Sequence, residues 1–263
     1  MLPLPCVMGH WRICLSKTSY RHLHLSLLLR RNMDTKGKTI QSLERGFMIL
    51  ETLSFAESPL SLQDITQSVK LAKTTVYGLL ATLVKLGYVE RTKQTYQLGL
   101  RLRELSKPLE QRDELVRRHF YPLLKKMALL SNNTAYLAIQ SGADEYLYID
   151  AIEKDNPLTI RSPRGRRESL IDSAIGKIFV SFNPQLKRIL RMQGALTPWL
   201  EMEIEQISQQ GFSLDLEQAE PGLHCLAIPL YMNGDLVAAA GLSGAADELT
   251  EAKLRHFAQV FLR

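Results

Sequence analysis

Three cysteines, Cys6, Cys14 and Cys225, are all that this chain of 263 residues contains, an odd number at irregular spacing. That argues against a disulfide framework and fits a reducing compartment, so cytoplasmic residence is expected. Long apolar runs are lacking as well. Crossing a bilayer takes about 18 or more apolar residues in a row, and the longest candidate, Leu23 to Leu29, is broken by His24 and Ser26. No membrane partner is expected. There is no glycine-rich phosphate loop, no His-x-x-x-His and no paired-cysteine metal motif, so no catalytic residue, metal or cofactor is expected. His224 and Cys225 are adjacent, but neighbours on a strand point to opposite faces, so the imidazole cannot activate the thiol. An enzyme is not expected.

The chain is 45% hydrophobic, enough for one large or two modest domains with a proper core. Its net charge of +6 resembles a nucleic-acid signal until it is divided along the sequence. Residues 1–32 carry five basic and no acidic side chains, residues 33–106 ten and seven, residues 107–263 eighteen and twenty. Only the middle stretch supports phosphate contact, and mildly. At the N-terminus Cys6, His10, Cys14, His22 and His24 match no zinc-finger spacing. A secretory signal fails too, because the apolar stretch runs into Arg30-Arg31 without a small-residue cleavage site. Residues 1–38 are expected to be a disordered tail or a mis-assigned start, with translation beginning at Met33.

Order begins at Thr39. Leu43, Phe47, Ile49, Leu50 and Leu53 form a helical stripe behind Ser42, a plausible N-cap. Ser58-Pro59 ends that helix. Ser61 with Asp64 three residues on makes a capping-box pair opening a second helix. After a short turn, Lys70-Leu71-Ala72, a third helix carries Val76, Leu79, Leu80, Leu83 and Leu86 on one seam and stops at Gly87. The period then changes to 2 through residues 88–98, a hairpin with a basic tip. Three helices and a hairpin predict a winged helix-turn-helix over residues 39–98. A linker helix over 99–114, interrupted at Pro108, leads to residues 115–263. An amphipathic helix at roughly 113–130 comes first, and strands at 134–140, 145–151, 158–161, 226–231 and 236–242 stand beside helices at 173–182, 198–210 and 250–262. The expected fold class is α+β.

In such a motif the start of the third helix faces the major groove of double-stranded DNA. Thr74 and Thr75 offer short hydroxyls to phosphate or base edges, Lys73 supplies charge, and Tyr77 lies one turn beyond it. Arg91 and Lys93 let the wing grip adjacent phosphate. A winged helix that binds protein, an adaptor without specific operator binding, is the alternative.

Residues 39–263 resemble the IclR (isocitrate lyase regulator) family of bacterial transcription factors. The resemblance rests on SLERGFMIL, LSLQDITQSVKLAKTTVYGLLATLVKLGYVE and YQLGLRL, then RGRRESLIDSAIGKIFV, then QGFSLDLEQAEPGLHCLAIPL and AAAGLSG. It implies an N-terminal winged helix-turn-helix joined by a linker helix to a GAF-like α/β effector-binding domain. It also implies homodimers or homotetramers, and transcription modulated by a small organic acid or related metabolite. Departures are visible. Gly78 stands where the family usually has arginine, Lys70 replaces a turn glycine and Ala72 a proline.

The resemblance further implies an effector pocket. Backbone N–H groups of Ala174 and Ile175, at the start of the helix 173–182, would bind an anion, and Asp215, Leu223, Cys225 and Ser243 match pocket positions. Gly241 replaces a second pocket serine, and Ile175 is bulkier than the family's usual small residue. Each residue has a plainer reading: Cys225 as a small buried hydrophobe, Lys177 as a structural ion pair, Asp215 and Glu217 as capping or surface acids. Arg161, Arg164, Arg166 and Arg167 would add positive potential near the entrance, or simply be solvated.

Overall fold

The structure, a computed structural model, describes residues 40–153 and 165–262. The expected tail, the strand at 158–161, Arg161 and Arg164 lie outside the described residues. The chain divides into two compact units, Met1–Lys107 and Pro108–Arg263.

In the first unit, α1 (Gln41–Ser54), β1 (Leu60–Ser61), α2 (Leu62–Val69) and α3 (Lys73–Lys85) precede β2 (Val89–Thr92) and β3 (Thr95–Leu98), with sheet order β1-β3-β2. Ile49, Leu53, Ile65, Val69, Val76, Leu80, Val89 and Tyr96 form its core. The capping box is present: Asp64 N–H donates to Ser61 Oγ at 3.2 Å and Ser61 N–H to Asp64 Oδ2 at 2.9 Å. The stop of α3 is a Schellman motif, with Gly87 (φ 80°) donating to Val84 and Tyr88 to Leu83.

The expectation for α1 needs correction. The helix begins at Gln41 with Ile40 at the cap position and no side-chain cap, so Ser42 lies inside the first turn. Leu43 and Phe47, expected on one stripe with Ile49 and Leu53, are 59% and 57% exposed while those two are buried. Periodicity puts residues on one face; whether the same chain covers that face depends on how far the partner helices reach. Leu86, expected in the α3 seam, is also exposed, because the helix ends there.

The helix α4 (Arg101–Ser131) passes through Pro108 and Pro122 without interruption, against the expected break. Each proline removes one helix N–H. Both prolines are exposed, as are Glu104 and Arg118 four residues before them, so water can take the freed carbonyls.

The second unit contains β4 (Thr134–Ser141), β5 (Glu145–Ile152), β6 (Arg167–Ser169), α5 (Ala174–Phe182), α6 (Pro184–Met192), α7 (Pro198–Gln210), β7 (Ser213–Leu216), β8 (Leu223–Met232), β9 (Asp235–Ala245) and α8 (Glu251–Phe261). Its strands make one antiparallel sheet, β6-β5-β4-β9-β8-β7. One core joins Phe120, Leu124 and Met127 of α4 and Leu254, Ala258 and Phe261 of α8 to one face. Another joins Ile175, Ile178 and Phe179 of α5 and Ile204 and Ile207 of α7 to the other. This is the α+β architecture: a winged helix-turn-helix, a connecting helix and an α/β unit. Among the described residues, no helix is long and apolar enough to cross a membrane.

Candidate DNA interface and effector site

Lys73, Thr74, Tyr77, Gly78, Ala81, Thr82 and Lys85 form the exposed face of α3, while Thr75 is half-buried. Of these, Thr82 and Lys85 were missed in the sequence, although they continue the period of Thr74 and Gly78. The cap position of α3 is Ala72, which supplies no side-chain acceptor, so the first N–H groups of the helix are left for a phosphate oxygen. On the wing, Arg91 is exposed, donates from Nε to the Lys93 carbonyl at 3.3 Å, and stacks 5.7 Å from the Tyr96 ring centroid. Lys93 holds the two-residue tip in the left-handed region at φ 56°.

Gly78 has no packing reason to be glycine. A Cβ there would meet nothing within 4 Å. Gly78→Ala is therefore expected to stabilise the first unit by about 1 kcal/mol, the helix-propensity difference, measured by urea denaturation.

The second unit brings the expected effector residues together through strand register. Asp215 on β7 pairs with Cys225 on β8, Cys225 with Ser243 on β9, and Ser243 with Thr134 on β4, one row across four strands. Leu223 lies two residues before Cys225 on the same face. Asp215 is 2% exposed. Its Oδ1 accepts the N–H groups of Gln218 at 2.8 Å and Ala219 at 3.3 Å, whereas Oδ2 is buried with no partner. It is thus neither a surface acid nor a helix cap; it closes a loop and keeps one acceptor in reserve.

Over this face lies the start of α5. Ser173 Oγ accepts from Gly176 N–H at 3.1 Å and the Ser173 carbonyl accepts from Lys177 N–H. Ala174 and Ile175 N–H have no acceptor within the helix. Both residues are buried, backbone included. Ser173 Oγ donates to Tyr146 Oη at 3.0 Å, Tyr146 donates to Glu168 Oε2 at 2.7 Å, and Tyr148 donates to the same oxygen at 3.2 Å. Burial raises both phenols above their ordinary range, with the Glu168 charge adding to it. Burial also raises Tyr136, with the Ser243 hydroxyl beside it pulling the other way. This tyrosine–glutamate network was not foreseen in the sequence, since tyrosines spaced two apart read only as strand residues.

Lys177 has the plainer role of a structural ion pair, and Arg166 and Arg167 are paired rather than simply solvated. Lys177 Nζ is paired with Glu203 at 2.8 Å and donates to Gln218 Oε1 at 2.6 Å. Arg166 pairs with Glu168 at 2.7 Å and Arg167 with Glu145 at 3.6 Å. Glu217 accepts from Gly222 N–H. His224 points away from Cys225, with Nδ1 2.9 Å from the Leu249 carbonyl. Burial pushes the Cys225 thiol well above its ordinary value, reinforced by the Asp215 carboxylate. Iodoacetamide at about pH 8 is therefore expected to label Cys225 at least about tenfold more slowly in the folded chain than in urea, read at that peptide by mass spectrometry.

An uncapped helix start beside a basic wing, followed by a separate α/β unit, is the build of a winged-helix transcription regulator. Comparison with known proteins agrees. Residues 42–93 match the IclR helix-turn-helix domain and residues 111–262 the C-terminal domain of bacterial transcriptional regulators of the IclR type. The HTH-type transcriptional repressor AllR of Salmonella typhimurium is 31% identical over 232 residues, covering 82% of this chain and 84% of AllR. The regulator KdgR of Escherichia coli is 28% identical over 244 residues, covering 86% and 90%. Among solved structures, an IclR family regulator from Brucella abortus superposes with a TM-score of 0.66 at 21% identity over 87% of this chain and 93% of that one. An IclR homologue from Microbacterium hydrocarbonoxydans, complexed with 4-hydroxybenzoate, gives 0.64 at 17% over 84% and 96%. The chain belongs to the IclR family of bacterial transcriptional regulators and is a regulator, not an enzyme.

Proposed function

We propose that this regulator works in the cytoplasm as a homodimer or homotetramer whose operator binding is controlled by a small carboxylate effector. At the DNA end, Thr74, Thr75 and Tyr77 contact base edges or phosphate, and Lys73, Arg91 and Lys93 supply the electrostatic grip. At the other end, the N–H groups of Ala174 and Ile175 take the carboxylate, and Asp215, Leu223, Cys225 and Ser243 line the rest of the site. The observation that carries this reading is the unpartnered Asp215 Oδ2 in a row with Cys225 and Ser243. A buried acceptor without a donor is costly, and a ligand hydroxyl or amide would relieve that cost. The Microbacterium homologue, complexed with 4-hydroxybenzoate, lends support by analogy of fold alone. A second copy is supported by the exposed apolar stripe of Ile40, Leu43 and Phe47 on α1. The effector then shifts the balance between dimer arrangements that do and do not match the half-site spacing. Titrating hydroxy acids, 4-hydroxybenzoate among them, into an operator complex tests this: saturable change in DNA affinity is expected, and no change with any acid would refute effector control.

Gly78 favours a second reading, an adaptor that has lost specific operator binding, since a contact-bearing position on α3 holds no side chain. On the regulator reading, Gly78→Arg should tighten binding to a preferred site by about tenfold, the worth of one good guanidinium contact. Unchanged affinity would mean that no contact is missing there.

A further inference from the structure

Gly241 sits on β9, paired with Ala227 on β8 and Tyr136 on β4, two residues from Ser243 on the same face. Its backbone does not require glycine, because its φ is not in the left-handed region. Space does. A Cβ at Gly241 would lie 2.5 Å from Ile175 Cδ1 and 2.9 Å from Ile175 Cγ1. The Ile175 side chain therefore reaches from the first turn of α5 to the floor of the sheet and fills the volume that any side chain at 241 would need. The two departures noticed in the sequence, a larger residue on the helix and a smaller one on the strand, are one steric arrangement.

Its place matters because Ile175 belongs to both parts of the site. Its N–H is one of the two that the effector reading gives to the carboxylate, and its terminal methyl covers Gly241, two residues from Ser243. A ligand held with its carboxylate at α5 and its donor toward Asp215 and Ser243 meets hydrocarbon on the Gly241 side. Resting on the effector reading above, the geometry points to Ile175 and Gly241 as a size-complementary pair that sets effector selectivity, restricting the site to short carboxylic acids whose hydrogen-bonding groups lie on the Asp215–Ser243 side.

The test uses the full chain and four proteins, wild type, Ile175→Ala, Gly241→Ser and the double variant, titrated calorimetrically with glycolate, lactate, 2-hydroxybutanoate, 2-hydroxyhexanoate and 4-hydroxybenzoate. Wild type should bind the two shortest acids at least about tenfold tighter than 2-hydroxyhexanoate, the discrimination a closed apolar wall provides. Ile175→Ala, which removes three carbons, should reverse that order. Gly241→Ser alone should weaken every acid and lower the melting temperature, and adding Ile175→Ala should restore both. Ile175→Val removes only the δ-methyl and repeats the selectivity test should the alanine variant not fold. Acids that bind in the same order to wild type and to the Ile175 variants would overturn the pair as a selectivity determinant. Binding of no acid to any variant would overturn the effector reading itself and this inference with it, whatever the melting temperatures show about packing.

Discussion

Replacing Lys177 by methionine is expected to destabilise the C-terminal unit by about 3–5 kcal/mol, the usual cost of stranding one half of a buried ion pair. Lys177 is 3% exposed, yet its Nζ is fully engaged, 2.8 Å from Glu203 Oε1 and 2.6 Å from Gln218 Oε1. It also lies 5.8 Å from the Trp199 ring centroid. Glu203 Oε2 already has no partner in the folded chain. Without the ammonium the carboxylate would stand uncompensated between α5 and α7, and Gln218 would lose the contact that steadies its loop. That loop matters to the site, because Gln218 N–H is one of the two donors holding Asp215. Urea denaturation of the C-terminal transition measures the loss. Removing both charges together, Lys177→Met with Glu203→Leu, should recover most of it; a double variant as unstable as the single one would show that packing, not charge, sets the cost.

Gly176→Ala should cost about 3 kcal/mol, the upper range for forcing a methyl into a packed core. Helix propensity alone favours alanine by about 1 kcal/mol, so the sign of the effect decides which force rules. A Cβ at Gly176 would lie 2.5 Å from the Leu170 carbonyl oxygen and 2.6 Å from the Leu170 carbonyl carbon and Cα. These are backbone atoms with no rotamer to change, so α5 must lift from the segment before it. Lifting it would strain the Ser173–Tyr146 hydrogen bond and withdraw Ile175 from Gly241. Gly78→Ala, on α3, is the control: the same substitution in a helix, with an opposite expected sign because the space there is open. Should Gly176→Ala raise the denaturation midpoint, the close approach of α5 to Leu170 does not exist in solution.

What could be read in the sequence was what depends on neighbours in the chain. The Ser61–Asp64 capping box, the Gly87 stop and the tip of the wing are made by residues within a turn or two of each other, and their side-chain chemistry dictates them. The row of Asp215, Cys225 and Ser243, proposed to line an effector site, was singled out only through the family resemblance, since register between separate strands brings the three together. Long-range complementarity was not legible at all. Leu43 and Phe47 carry a helical period that says nothing about whether a partner covers them. Pro108 reads as a break because propensity cannot see that water will satisfy the freed carbonyl. The strand β6, Arg167–Ser169, has no apolar residue, and β7 alternates over only four residues, Ser213–Leu216, too short a run to mark a strand. Helix α6 follows an Asn-Pro pair that reads as a loop, although Asn183 caps the helix and Pro184 opens it. The Glu168 network and the fit of Ile175 onto Gly241 are relations between elements that only the fold creates.

That α3 and the wing read a particular duplex is tested by fluorescence anisotropy of the chain on the DNA upstream of its own gene, against a scrambled duplex of equal length and composition, across a salt series. Preferential binding to the upstream duplex is predicted, with log affinity falling by about 0.9 per log unit of salt for each phosphate neutralised, and with Thr74→Ala and Thr75→Ala erasing the preference. Equal binding to both duplexes, flat in salt and indifferent to those substitutions, would contradict it.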